Sequence, residues 1–275
     1  MLELLQITND PALARRCDAM DGMRLFVDLE LLGKQARQPG GTTFITSHEI
    51  SDVGRVKAEL HRAPLMVRVN PLNPTSPAEI EAVLAQQPDL LMLPMFADAQ
   101  TLRSFSSLVA GRCPLVALLE TEGAFGSMNE WLDTPGLVEV FVGLNDLHRS
   151  LGCHFMFEPL ADGHVETVAQ AAHARGLRFG FGGIARMDEG LLTGRDVLGE
   201  HLRLGSQSVI LSRTFHRSHD DASFESAVAA LRDAERALAQ RSPQHIENDH
   251  LRTTATIGRI AQTVPAPLSG PGALE

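Results

Sequence analysis

The chain repeats one pattern: a short apolar run that closes on polar residues, then a stretch whose apolar positions recur at helical spacing. The runs are Leu2 to Thr8, Arg24 to Glu30, Pro64 to Asn70, Asp89 to Pro94, Leu115 to Thr121, Val138 to Asp146, Arg178 to Gly183 and Gln207 to Arg213. They are continuous rather than alternating, which suits strands covered on both faces, as in a parallel sheet. The stretches between them carry helix punctuation. Asn9-Asp10-Pro11 leads into a helix over Leu13 to Met20, Ser51 is placed to cap a helix running to His61, and Ser76-Pro77 with Glu79 has the signature of a capped start. A helix from about Asp98 to Val109 stops at Gly111, and another from His164 to Arg175 stops at Gly176. Phe224, Val228, Leu231 and Leu238 keep helical spacing and give a final helix.

Eight strand-helix alternations predict an α/β protein, a single (β/α)8 TIM barrel over residues 1–241. An open doubly wound sheet is the competing architecture. The barrel is preferred because the chain has neither a GxGxxG nor a P-loop motif, and because polar residues collect at many strand ends rather than at one switch point. Residues 242–275 form a C-terminal extension: Ile246 to Gln262 has weak amphipathic helical spacing, and a flexible tail starts near Val264. The polar, Gly-rich stretch from Lys34 to Thr43 reads as a loop. The connection from Asp146 to Gly163, which contains Phe155-Met156-Phe157, is long enough for a lid or a subunit contact.

Bulk properties narrow the function. Among 275 residues, 24 Lys and Arg face 34 Asp and Glu, a formal charge of −10 that argues against binding a phosphate backbone. The cysteines Cys17, Cys113 and Cys153 lie far apart with no CxxC spacing, so neither a disulfide framework nor a zinc site is indicated. No run approaches the roughly 18 apolar residues of a membrane span, and no basic segment precedes a hydrophobic stretch at the start. The expectation is a soluble, unprocessed, cytoplasmic protein acting on a small molecule, without nucleic acid or membrane as partner.

In such a barrel the site lies at the C-terminal ends of the strands, which here supply Asn9, Asp10, Asp28, Glu30, Arg68, Asn70, Glu120, Asn145, Asp146 and Arg213. Glu120 and Asp146, on neighbouring strands, make a hard oxygen site suited to Mg²⁺ or Mn²⁺; each is also the kind of residue that caps the next helix. Arg68 is either a partner for structural carboxylates or a substrate anchor, or both. Proton transfer needs a titratable group within reach: His148 first, then His48, Lys34 or the Asp28/Glu30 pair. Lys34 is otherwise placed to neutralise a substrate carboxylate or phosphate. The stretch from Gly180 to Gly183 either presents amides to an anion, with Ser212 and Arg213 joining that pocket, or meets a packing need for small residues.

Phe26-Val-Asp28-Leu-Glu30, Val67-Arg68-Val-Asn70-Pro71, Leu93-Pro94, Leu119-Glu120-Thr121 and Gly143-Leu-Asn145-Asp146-Leu147 occur in an order and spacing that resembles the HpcH/HpaI aldolase and citrate lyase β-subunit family. The resemblance covers roughly Met1 to Arg217. It implies a barrel of the phosphoenolpyruvate/pyruvate type, in which a divalent metal chelates a 2-keto acid or acyl-CoA carbonyl and stabilises an enolate. Carried over by position, Glu120 and Asp146 hold the metal, Arg68 faces the enolate oxygen, and Thr121 with the amides near Gly143 to Asn145, and Asn70 beside them, serves the substrate. The resemblance also implies a homo-oligomer, a trimer or a hexamer. Two departures stand out: class II pyruvate aldolases of this family follow Asp-x-Glu with a catalytic His where this chain has Leu31, and citrate-lyase-like members carry Lys after Leu-Pro where it has Met95. The function expected is a metal-dependent carbon-carbon lyase of aldolase type. The alternatives are an acyl-CoA lyase or thioester hydrolase, and a barrel without turnover that serves as a ligand-binding or assembly protein.

Overall fold

The computed structural model describes residues 1–33, 48–216 and 221–264. Eight parallel strands follow one another: β1 (Glu3–Ile7), β2 (Met23–Asp28), β3 (Leu65–Arg68), β4 (Leu90–Leu93), β5 (Leu115–Leu119), β6 (Leu137–Val142), β7 (Arg178–Ile184) and β8 (Ser208–Leu211). They pair in sequence order and close into a barrel, so the (β/α)8 expectation holds and the open sheet is excluded. The chain groups into two compact units, Gln6–Val138 and a second that joins Met1–Leu5 to the chain from Glu139 onward.

In the Gln6–Val138 unit the ladder runs in register through Phe26↔Met66, Arg68↔Met92 and Leu93↔Ala117. Leu25, Phe26, Val27, Leu65, Met66, Val67, Leu91 and Leu93 are wholly buried, each contributing about 1.5–3 kcal/mol of transfer free energy. Between the strands lie α1 (Pro11–Asp18), α2 (Ile50–Lys57), α3 (Ser76–Leu84), α4 (Ala99–Val109), α5 (Glu122–Gly126) and α6 (Met128–Trp131). Asp10 caps α1 by accepting from the Ala12 amide, and Asp98 caps α4 by accepting from Thr101. Helix α2 starts differently from expectation. Its cap is Glu49, whose N–H donates to Asp52 at 2.8 Å, so Glu49 and Asp52 form the reciprocal box and Ser51 falls inside the first turn.

In the second unit β1 pairs with β8 at Glu3↔Ser208, and β6 with β7 at Val140↔Phe179. The chain start is clamped: the Leu2 N–H donates to Glu235 at 2.6 Å, and Arg232 donates to the Leu2 carbonyl at 2.6 Å. The connection after β6 holds two short helices, α7 (Leu144–Ser150) and α8 (Glu158–Ala161), before α9 (His164–Ala174). Phe155 and Phe157 are buried with ring centroids 5.5 Å apart. Helix α10 (Gly194–Arg203), which the apolar pattern did not single out, lies between β7 and β8, and α11 (Asp221–Leu238) follows β8. Within α10, His201 is wholly buried, stacks on Phe181 at 3.8 Å and meets the Ser206 hydroxyl through Nδ1 at 2.8 Å. Burial pushes its pKa down to about 3.

The expected weak helix at the C-terminal end is α12, running Pro243–Ala261 and capped by Ser242, and it packs on α8 and α10. Arg241 to Asp249, Arg252 to Asp196 and His250 to Glu200 are the charged contacts beside it. The expected flexible end, beyond residue 264, lies outside the described residues.

Candidate active site

Arg68 ends β3, and Asp28 is its neighbour at the end of β2. The guanidinium grips that carboxylate with two bonds, Nε to Oδ1 at 2.8 Å and Nη2 to Oδ2 at 2.7 Å. Its third nitrogen, Nη1, lies 3.3 Å from Glu30 Oε2. The Phe26 ring lies beneath, 5.6 Å from the guanidinium carbon. Burial by itself would lower the Arg68 pKa, but the Asp28 carboxylate, followed by Glu30 and Glu120, raises it above the ordinary arginine value. Arg68 is therefore charged at every pH where the protein folds.

Glu120 follows β5 and is 3% exposed. Its Oε1 accepts the Met95 N–H at 3.0 Å. One guanidinium thus faces the three carboxylates of Asp28, Glu30 and Glu120, so these four side chains sum to a formal charge of −2. Buried negative charge of that size is costly without a cation beside it, and carboxylate oxygens are the donors that Mg²⁺ and Mn²⁺ prefer. The donor set therefore fits a hard divalent cation. Among the described residues no three His, Cys, Asp or Glu side chains converge as a metal cluster, so water and substrate oxygens would have to complete the shell.

The remaining candidates of this unit take definite places. His48 is buried, and its Nδ1 accepts the Asp28 N–H at 3.0 Å; a backbone amide only donates, so the proton of the neutral ring sits on Nε2. Asn70 clips the loop after β2, its Oδ1 accepting from the amides of Leu31 at 2.9 Å and Leu32 at 3.0 Å. Its amide nitrogen donates to Glu79 at 2.9 Å, which diverts Glu79 from the capping role its spacing suggested. Thr121 donates its hydroxyl proton to the Phe96 carbonyl at 2.7 Å and accepts from the Ala124 amide as the cap of α5. Leu31, where the resembling aldolases carry histidine, is 49% exposed. Lys34 lies outside the described residues.

In the second unit, Gly143 precedes α7, Asn145 and Asp146 lie in its first turn, and His148 is 5% exposed. The Nδ1–H of His148 donates to the Leu144 carbonyl at 2.9 Å, which leaves Nε2 as the nitrogen with a lone pair. Burial, ahead of its other neighbours, lowers the His148 pKa, so the ring is neutral at pH 7. Asp146 Oδ1 stands 3.9 Å from Arg149. Gly180 lacks a side chain for packing reasons, since a Cβ there would lie 2.7 Å from the Ser208 carbonyl oxygen. Gly183 has no such need: its Cβ would approach nothing nearer than 3.6 Å. Arg213 is exposed and opens the short 3₁₀ turn Arg213–His216 after β8.

The Met95 amide is a backbone group, so the residue type at this position does not reveal it. The available signal was Pro94 directly after a strand, which marks a turn without specifying where its amides point.

The closed eight-stranded barrel is a fold that the chain shares with solved structures. The chain superposes with a TM-score of 0.58 on a citrate lyase β subunit complexed with oxaloacetate and magnesium from M. tuberculosis, at 17% identity, covering 86% of this chain and 97% of that one. It superposes at 0.57 on an HpcH/HpaI aldolase from Desulfitobacterium hafniense DCB-2, with 16% identity and coverage of 88% and 94%. Residues 50–180 match the family model described as HpcH/HpaI aldolase/citrate lyase. Arg68, Glu120 and Asp146 fall inside the matched segment, whereas Asp28, Glu30, Gly183 and Arg213 fall outside it. Among curated proteins, a (3S)-malyl-CoA thioesterase from Cereibacter sphaeroides (strain KD131 / KCTC 12085) is 28% identical over 235 residues, 80% of either chain. Among the described residues no helix is long and apolar enough to cross a membrane.

Proposed function

We propose that the chain is a metal-dependent carbon-carbon lyase that acts, in cleavage or condensation, through the enolate of pyruvate or a related 2-keto acid. The observation that supports it is the group of Arg68, Asp28, Glu30 and Glu120, a fixed cation among carboxylates at the ends of β2, β3 and β5. Glu120 and, on the resemblance, Asp146 would hold Mg²⁺ or Mn²⁺. A divalent cation on the substrate oxygens would stabilise the negative charge of an enolate.

The protein's own contribution is positional. Asp28 and Glu30 fix the Arg68 plane, so a donor waits where enolate charge develops and needs no reorganisation during the reaction. His148 offers a lone pair on Nε2 and suits a base, while the Nε2 proton of His48 suits a donor. Thr121, Asn70, Gly143, Asn145, Gly183, Arg213 and Lys34 are proposed around the substrate carboxylate and tail. Solvent exchange of the pyruvate methyl protons, followed by NMR with Mg²⁺ or Mn²⁺, tests this reading. Exchange that needs the metal and disappears in Glu120→Gln is expected; wild-type protein without exchange, together with unimpaired metal binding in Glu120→Gln, sinks it.

A second reading has its own support. The thioesterase relative and the exposed Leu31 at the aldolase base position favour action on an acyl-CoA, by carbon-carbon cleavage or by thioester hydrolysis. Hydrolysis releases a free thiol and a carboxylic acid, whereas lyase cleavage releases a shorter acyl-CoA and a carbonyl compound. A thiol reagent and mass spectrometry on 3-hydroxyacyl-CoA substrates separate the two. A barrel that binds metal plus oxalate but turns over neither substrate class would be a ligand-binding protein instead. The proposed assembly is a homo-oligomer, a trimer or a hexamer, which light scattering measures directly.

A further inference from the structure

Met95 holds a backbone conformation that side-chain-bearing residues avoid, with φ of 54°. It directly follows Pro94 at the exit of β4, and this conformation points its N–H at Glu120 Oε1, 3.0 Å away. The turn that carries it is gripped on several sides. Phe96 stands edge-on to buried Trp131 with centroids 5.1 Å apart, and its carbonyl accepts the Thr121 hydroxyl at 2.7 Å. Gly123 closes against the same turn, where an added Cβ would come within 2.7 Å of the Ala97 carbonyl oxygen. A strained residue persists only when its surroundings over-determine it, and here every restraint converges on the turn that bonds Glu120.

We propose that Met95 is a positioning residue: its left-handed backbone aims one amide at Oε1 of Glu120, which fixes the carboxylate and sets its ligand oxygens for a divalent cation. This rests on the reading that Glu120 is a metal ligand. Outer hydrogen bonds to a ligating carboxylate fix its orientation, and losing one costs roughly 10–100-fold in metal affinity. The role belongs to the backbone, so side-chain identity matters only through the φ it tolerates. Glycine keeps the conformation without penalty, whereas a β-branched residue is driven out of it.

Mn²⁺ affinity, read by electron paramagnetic resonance on the purified full chain, tests the proposal alongside thermal unfolding. Met95→Gly is expected to bind Mn²⁺ within about twofold of wild type and Met95→Val about tenfold more weakly. Gly123→Ala displaces the same turn from the other side and is expected to weaken binding several-fold, which keeps the test decisive if Met95→Val does not fold. The proposal is overturned if Met95→Val and Gly123→Ala fold and bind Mn²⁺ like wild type, or if Met95→Gly weakens binding as much as Met95→Val. Glu120→Gln separates the two levels. If it leaves Mn²⁺ affinity unchanged, the ligand assignment of Glu120 has failed; if it abolishes binding while the Met95 and Gly123 variants do not alter it, only the positioning role has failed.

Discussion

Arg68 is oriented before any substrate arrives, because two bonds to Asp28 and a contact with Glu30 use the fork of its guanidinium. Lysine carries the same charge but lacks that fork, so Arg68→Lys is expected to leave the protein folded and to lower metal-dependent proton exchange by about 100-fold or more. NMR exchange rates at saturating metal measure the loss. The two buried histidines differ in kind: Nδ1 is a donor in His148 and an acceptor in His48, which leaves a lone pair on Nε2 of His148 and a proton on Nε2 of His48. If His148 is the base, activity falls with acid as Nε2 gains a proton. Because burial lowers its pKa, that limb lies below the ordinary histidine value of about 6.5. A pH profile of kcat/KM for wild type and His148→Gln checks this, and the variant should lose the limb along with the rate.

The elements were largely legible, because continuous apolar runs such as Leu115 to Leu119 and Leu90 to Leu93 belong to strands buried on both faces, where nothing competes with the period. Helix α10 was not legible: its ten residues include Arg195, Asp196, Glu200, His201 and Arg203, several of them buried or ion-paired, so polarity hid an element of the interior. The start of α2 was displaced because Glu49 and Asp52 outcompete Ser51 as a reciprocal cap. At the site, the strand-end residues were nameable, but the duties of Asn70 and Glu79 were not, since both depend on loop geometry that spacing does not encode. The glycines of β7 differ in packing, since a side chain is excluded at Gly180 and has room at Gly183. Gly180→Ala is expected to destabilise by about 1–3 kcal/mol through overpacking against Ser208, and Gly183→Ala to change little. Urea unfolding of the two variants measures the difference.

At the scale of the molecule, the proposed cation and substrate act as folding ligands, because whatever binds only the native state adds stability. Mg²⁺ or Mn²⁺ with oxalate, an enolate mimic, is expected to raise the thermal midpoint more than either alone, corresponding to about 2.7 kcal/mol at 100 times Kd. Differential scanning calorimetry checks it, and an unchanged midpoint would count against a metal-enolate site. The clamp on the chain start carries a different consequence, one for synthesis. Leu2 is 233 residues from Glu235, and β1 finds its β8 partner only at Ser208. Strand β1 therefore leaves the ribosome some two hundred residues before the strand that covers this edge. An open parallel edge of that kind invites pairing with other nascent chains, so recovery of native protein should depend on elongation speed and on holdase chaperones more than its final stability would suggest.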